Sequence, residues 1–186
     1  YWHFVKVMGR SASHVALECA LQTQPNIAII SEEVAAKKMT LAQIVEEMAV
    51  VVAARAKAGM NFGVALIPEG LIEFVPEIKV LIAELNDLLA ANAAKVDAME
   101  KADKVAFANA NLSAESAKVF GSLPTGIQMQ LCNDRDPHGN VQVSLIETEK
   151  MLAEMVGTRL KQMKSEGAYD GKFSTQVHFF GYEGRC

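Results

Sequence analysis

Three short apolar runs, separated by stretches of helical period, occupy the first 70 residues and leave the chain few folds to choose from. Phe4–Met8 carries few polar residues, Ile27–Ile30 is wholly apolar, and Phe62–Ile67 follows the same habit. Strands of a parallel sheet are covered on both faces, so they read as short continuous apolar runs and not as strict alternation. Between them, Ser13–Thr23 carries Val15, Leu17, Cys19 and Leu21 in a helical pattern, with Ser11 or Ser13 as N-cap. Thr40–Lys57 places Leu41, Ile44, Val45, Met48, Val51 and Val52 on one stripe and closes at Gly59. The order β-α-β-α-β predicts an α/β fold with a parallel sheet and right-handed crossovers.

The pattern changes at Pro76. From there to about Glu166 the sequence reads as helix: Ile78–Ala94, Ser113–Phe120, Thr125–Cys132 and Glu147–Lys164, with an Ala-rich stretch at 90–110 and a short strand at Val141–Val143. A crossover between parallel strands needs only about a dozen residues, so this stretch is an insertion. Phe173–Phe180, where Phe173, Thr175, Val177 and Phe179 alternate, predicts a fourth strand. The expected organisation is a Rossmann-like core over 1–75, a helical insertion over 76–166, and a return strand with a phosphate-binding loop over 167–186.

Composition excludes several functions. A chain of 186 residues that is 51% hydrophobic can bury a core and is not disordered. A net charge of −4 with no basic cluster argues against nucleic acid, and no apolar run reaches the length of a membrane span. Three widely spaced cysteines without a CxxC pair fit a reducing cytoplasm. The four histidines lack zinc-ligand spacing, so no metal site is assigned. His14 reads as a structural or surface residue, and Glu32-Glu33 as a solvated loop, because neighbours in sequence do not share a helix face. The opening Tyr1-Trp2-His3-Phe4, inside a strand, reads as the start of a segment of a larger protein.

Three of the four strands run into polar, Gly-containing loops: Met8-Gly9-Arg10-Ser11, Pro68-Glu69-Gly70 and Gly181-Tyr182-Glu183-Gly184-Arg185. Ligands of open parallel sheets bind beyond the carboxyl ends of the strands. Arg10 and Arg185, on separate strand ends, could clamp a phosphate bidentately, and the helix near Ser11 would turn its N–H groups toward it. Glu69 could accept from two hydroxyls at once, so the loops together describe a sugar-phosphate site.

The loops also carry a resemblance. Trp2–Cys19 with its Met8-Gly9-Arg10, Val64–Glu73 with its Pro68-Glu69-Gly70, and Phe179–Cys186 with Tyr182-Glu183-Gly184-Arg185 resemble phosphofructokinases, in the wording of the pyrophosphate-dependent branch. Ile146–Lys150 is similar as well. ATP-dependent bacterial relatives usually have a His and Gln-Arg-Gly-Gly in the last loop, which is absent here. The resemblance implies a transferase of glycolysis that moves phosphate reversibly from pyrophosphate to the 1-hydroxyl of fructose 6-phosphate. It implies that Met8, Gly9 and Arg10 hold the sugar phosphate, with Arg10 also facing the transferring phosphoryl group. Glu69 takes the sugar hydroxyls, and Tyr182, Glu183, Gly184 and Arg185 form the 6-phosphate loop. Tyr1 would reach a neighbouring subunit's site, in a homodimer or with a related subunit. The family's Gly-Gly-Asp-Asp donor loop and its Thr-x-Asp-x-Asp segment, with the catalytic Asp and the Mg2+ ligands, do not occur in these residues. The chain is therefore expected to carry the fructose 6-phosphate half and to be inactive alone. The alternatives are a non-catalytic regulatory subunit or sugar-phosphate module of the same family, or an ATP-dependent enzyme.

Overall fold

The computed structural model describes residues 1–96, 98–135 and 139–181. Four strands form one parallel sheet in the order β2-β3-β1-β4: β1 Trp2–Val7, β2 Ile27–Ala28, β3 Gly63–Pro68 and β4 Thr175–Phe180. The α/β, Rossmann-like core predicted from the apolar runs is present. The chain divides into two compact units, Tyr1–Val75 with Thr148–Cys186, and Pro76–Glu147.

In the first unit β1 is central, and its alternate residues serve two cores. Val5 and Val7 pack with Leu66 and with Ala16 of α1 (His14–Thr23). Trp2, Phe4 and Lys6 point the other way, as successive residues of a strand must. That opposite face meets α10 (Thr148–Ser165), which packs in turn on α3 (Leu41–Lys57). Lys6 is 3% exposed. Its Nζ lies 3.1 Å from Glu149 Oε2 of α10 and 4.6 Å from the centre of the Phe179 ring. A lone ammonium at that depth would be costly, and the carboxylate and ring face offset the cost.

Local chemistry sets the helix bounds. Thr40 begins α3 with a full capping box, its hydroxyl accepting from Gln43 N–H while Gln43 Oε1 accepts from Thr40 N–H. Two short helices were not legible in advance: α2 (Ser31–Ala36) and α4 (Leu71–Phe74). Strand β2 is correspondingly shorter than the apolar run Ile27–Ile30, because Ile30 already serves as N-cap of α2. Glu32 and Glu33 thus lie on a helix and not in a loop.

The second unit is helical, with α5 (Pro76–Ala91), α6 (Ala93–Val96), α7 (Lys101–Asn111), α8 (Ala114–Ser122) and α9 (Thr125–Asn133). Ile78, Leu81, Leu85 and Leu89 form the buried stripe of α5, and Pro76 occupies the start, where its missing N–H costs nothing. The expected strand at Val141–Val143 is instead one antiparallel bridge, Arg135 to Val141, followed by a 3₁₀ turn at Val143–Leu145. The helical stretch expected to run to 166 divides at Glu147. The apolar face of α10, with Met151, Leu152, Val156 and Leu160, is buried in the sheet-bearing unit.

Candidate functional site

All strands being parallel, their carboxyl ends fall on one side, and register aligns Val7 with both Pro68 and Phe180. The first connection, through α1, covers one face of the sheet. The later connections, through α3 and α10, cover the other. The chain leaves the adjacent strands β1 and β3 toward opposite faces, which makes the gap between their carboxyl ends a topological switch point, where open α/β sheets bind ligands.

Hydrogen bonds join the loops at that gap. Glu69 N–H donates to Val7 O (3.0 Å), Gly70 N–H to Gly9 O (3.3 Å), and Met8 N–H to Phe180 O (3.1 Å). Gly9 N–H donates to Glu69 Oε2 (3.2 Å), which fixes the carboxylate against the loop. Gly9 has φ +131°, a conformation open to glycine. At Gly70 a Cβ would lie 1.9 Å from the carbonyl oxygen of Arg10, so the backbones touch where only a hydrogen fits.

Arg10 extends from this contact to Glu73, one turn beyond Glu69 on α4. Its Nη2 lies 3.1 Å from Glu73 Oε1 and its Nε 3.4 Å from Oε2, a side-on fork-to-carboxylate pair. The Arg10 side chain is 54% exposed and that of Glu73 34%, so the pair stands at the rim. Glu73 was not singled out from the sequence. The contact spans 63 residues, and a four-residue helix offers no local signal for it.

The helix expected to point its N–H groups at the anion is arranged differently. It starts at His14, which is exposed, and Ser13 N–H donates to Glu32 Oε1 (2.9 Å). The Ser13 hydroxyl accepts from Ser31 N–H (2.9 Å). A carboxylate from α2 already occupies a donor ahead of α1, and that bond holds the Glu32 carboxyl below its usual pKa.

The sequence-derived residues Met8, Gly9, Arg10 and Glu69 thus meet at one edge. Tyr1 does not join them. It lies at the amino end of β1, 65% exposed, and the seven-residue step to Met8 spans about 23 Å at strand rise. Tyr182, Glu183, Gly184 and Arg185 lie outside the described residues; Phe180, the last residue of β4, accepts from Met8 N–H at this edge. Among the described residues no three His, Cys, Asp or Glu side chains cluster as metal ligands.

Comparison with known proteins covers the whole chain. The chain is 57% identical, over its whole length, to the pyrophosphate–fructose 6-phosphate 1-phosphotransferase of Treponema pallidum (strain Nichols). The chain belongs to that family. The pyrophosphate–fructose 6-phosphate 1-phosphotransferase of Porphyromonas gingivalis is 54% identical over the whole chain, and subunit beta 1 from Arabidopsis thaliana 55%. Subunit alpha of the Solanum tuberosum phosphotransferase is more distant, at 42%. The chain spans about a third of the length of these phosphotransferases: 33% of the Treponema protein, 34% of the Porphyromonas protein and 31% of the Arabidopsis subunit. No family model matches it. No described helix is long and apolar enough to cross a membrane.

Proposed function

We propose that this chain supplies the fructose 6-phosphate side of a pyrophosphate-dependent phosphotransferase. The observation that carries the reading is the meeting of Gly9, Arg10 and Glu69 at the switch point between β1 and β3, with Gly70 packed on Arg10. Glu69, held through Oε2, keeps Oε1 to accept from sugar hydroxyls. The loop Tyr182-Glu183-Gly184-Arg185 grips the 6-phosphate. In the reaction the 1-hydroxyl oxygen forms a bond to phosphorus as its O–H bond and the bridging P–O bond of pyrophosphate break, the proton passing to the catalytic Asp that the resemblance places outside these residues, and phosphate departs. Positive charge on Arg10 offsets the negative charge gathered on the phosphoryl oxygens, which is the main demand of phosphoryl transfer.

The names of the relatives support pyrophosphate as donor and fructose 6-phosphate as acceptor, and the resemblance implies a glycolytic role. Mg2+ ligands, the catalytic Asp and the donor loop belong, on the resemblance, to parts of the protein outside these residues. Tyr1, far from the Arg10 of its own chain, serves the site of a neighbouring subunit, identical or related. The cytoplasm is the compartment that the sparse, widely spaced cysteines point to, and the thiols of Cys19 and Cys132 are unpaired.

Isothermal titration of the 186-residue chain with fructose 6-phosphate tests the reading. Wild type binds, and Arg10→Ala and Glu69→Gln each bind at least about tenfold more weakly, the scale of a lost charge-assisted hydrogen bond. Equal affinity in all three removes the site from this edge. The chain alone produces no fructose 1,6-bisphosphate from fructose 6-phosphate, pyrophosphate and Mg2+, and measurable turnover would show that it holds more of the machinery than proposed.

A further inference from the structure

The Arg10–Glu73 pair has no assigned purpose, and its setting is unusual for an exposed ion pair. Isolated surface pairs contribute little because two long side chains must be held in one geometry. Here both partners are fixed before they meet. Arg10 has its carbonyl under Gly70, where a Cβ would come within 1.9 Å. Glu73 sits on α4, tied back by its own N–H to Gly70 O (3.0 Å), and Gly70 N–H bonds to Gly9 O. The side-on geometry engages Nε and Nη2, the combination that fixes the guanidinium plane as well as its position.

We propose that Glu73 is a positioning residue for Arg10, holding the guanidinium plane in place before a phosphate-bearing ligand arrives. This inference rests on the reading of Arg10 as a phosphate contact. Preorganisation is where the gain arises: an arginine already fixed loses less rotamer freedom when the anion binds. Glu73 touches no ligand on this account and acts through Arg10. A competing role, in which Glu73 draws Arg10 away from the ligand, predicts the opposite sign.

The test combines a spectroscopic signature with binding. In 15N-labelled chain, the Arg10 Nε–Hε cross-peak, identified by its loss in Arg10→Lys, is expected to be displaced from the position of solvated arginines. Glu73→Gln returns it there, and Glu73→Asp retains part of the displacement. Binding of fructose 6-phosphate, followed by titration, weakens about threefold to tenfold in Glu73→Gln and recovers to within about twofold in Glu73→Asp. In an Arg10→Ala background, Glu73→Gln has no further effect. Circular dichroism verifies that each variant is folded. A cross-peak unchanged in Glu73→Gln, affinity equal to or above wild type, or a further loss on top of Arg10→Ala each overturns the proposal. If Arg10→Ala binds as wild type does, or wild type does not bind, the site reading fails and takes the proposal with it. If Arg10→Ala is impaired and Glu73→Gln is not, the positioning role fails alone.

Discussion

The two compact units use polar groups in different ways. In Pro76–Glu147 the polar side chains end helices and bridge turns. Ser113 caps α8 by accepting from Ser116 N–H, Glu84 accepts from the Ser113 hydroxyl, and Gln130 Nε2 donates to Glu147. In the sheet-bearing unit the two carboxylates at the carboxyl edge of β1 and β3 cap no helix. Glu69 and Glu73 hold a glycine amide and an arginine at the rim, between loops far apart in sequence. The first pattern is what stability demands of any helical bundle. The second spends glycine, φ +131° and a close backbone approach on arranging charges, an expense that stability alone does not explain.

The largest expected effect falls in the helical unit. Phe120 is fully buried in α8, and Phe120→Ala removes a whole ring, at about 3–5 kcal/mol. Hydrogen exchange of the variant loses protection across Pro76–Glu147, while the Arg10 Nε–Hε signature is retained. Collapse of that signature would mean that the two units are not separable in their roles. Next comes Gly70→Ala. The new methyl meets a backbone carbonyl with no rotamer of escape, and overpacking of this kind costs about 1–3 kcal/mol. Fructose 6-phosphate binding falls by more than stability does, as titration beside chemical denaturation would reveal. An equal loss in both makes Gly70 a packing residue only.

Thr40→Ala, which breaks the capping box of α3, is expected to lower stability by about 1 kcal/mol and to leave binding unchanged. Loss of binding would extend the site to α3. The smallest effect is a pair of titrations, one in each unit. The Glu32 carboxyl is lowered by the Ser13 N–H, and that of Glu84 by the Ser116 hydrogen bond first and the Ser113 N–H next. Lowered native values mean that both contributions are full above the ordinary glutamate range near about 4.3 and are lost as pH falls through the native value. Carboxyl 13C titration should place both groups below that range. Native values at or above it would remove these bonds from the stability of either unit.

The sequence announced the sheet more clearly than its surroundings. The short apolar runs around Phe4, Ile27 and Val64 read as strands because their length and order, with helical segments between them, suit a parallel sheet. Helix α10 read as part of the helical insertion because periodicity states which face is apolar but not what that face meets; it meets β1 and α3. Short α2 and α4 have too few residues to show a period. At the site, Gly9, Arg10 and Glu69 were visible through turn chemistry and through resemblance. The Glu73 partnership was not, since it depends on register between β1 and β3.

The contact of Gly70 with the Arg10 carbonyl has a consequence for how this site can diverge. Two loops packed backbone to backbone cannot be lengthened singly, and neither accepts a side chain at the point of contact. Change of ligand preference must therefore come by exchange of side chains at Arg10, Glu69 and Glu73, upon an unchanged main chain. A library that varies loop length here would mostly yield misfolded protein; one that varies those three residues would sample new specificities.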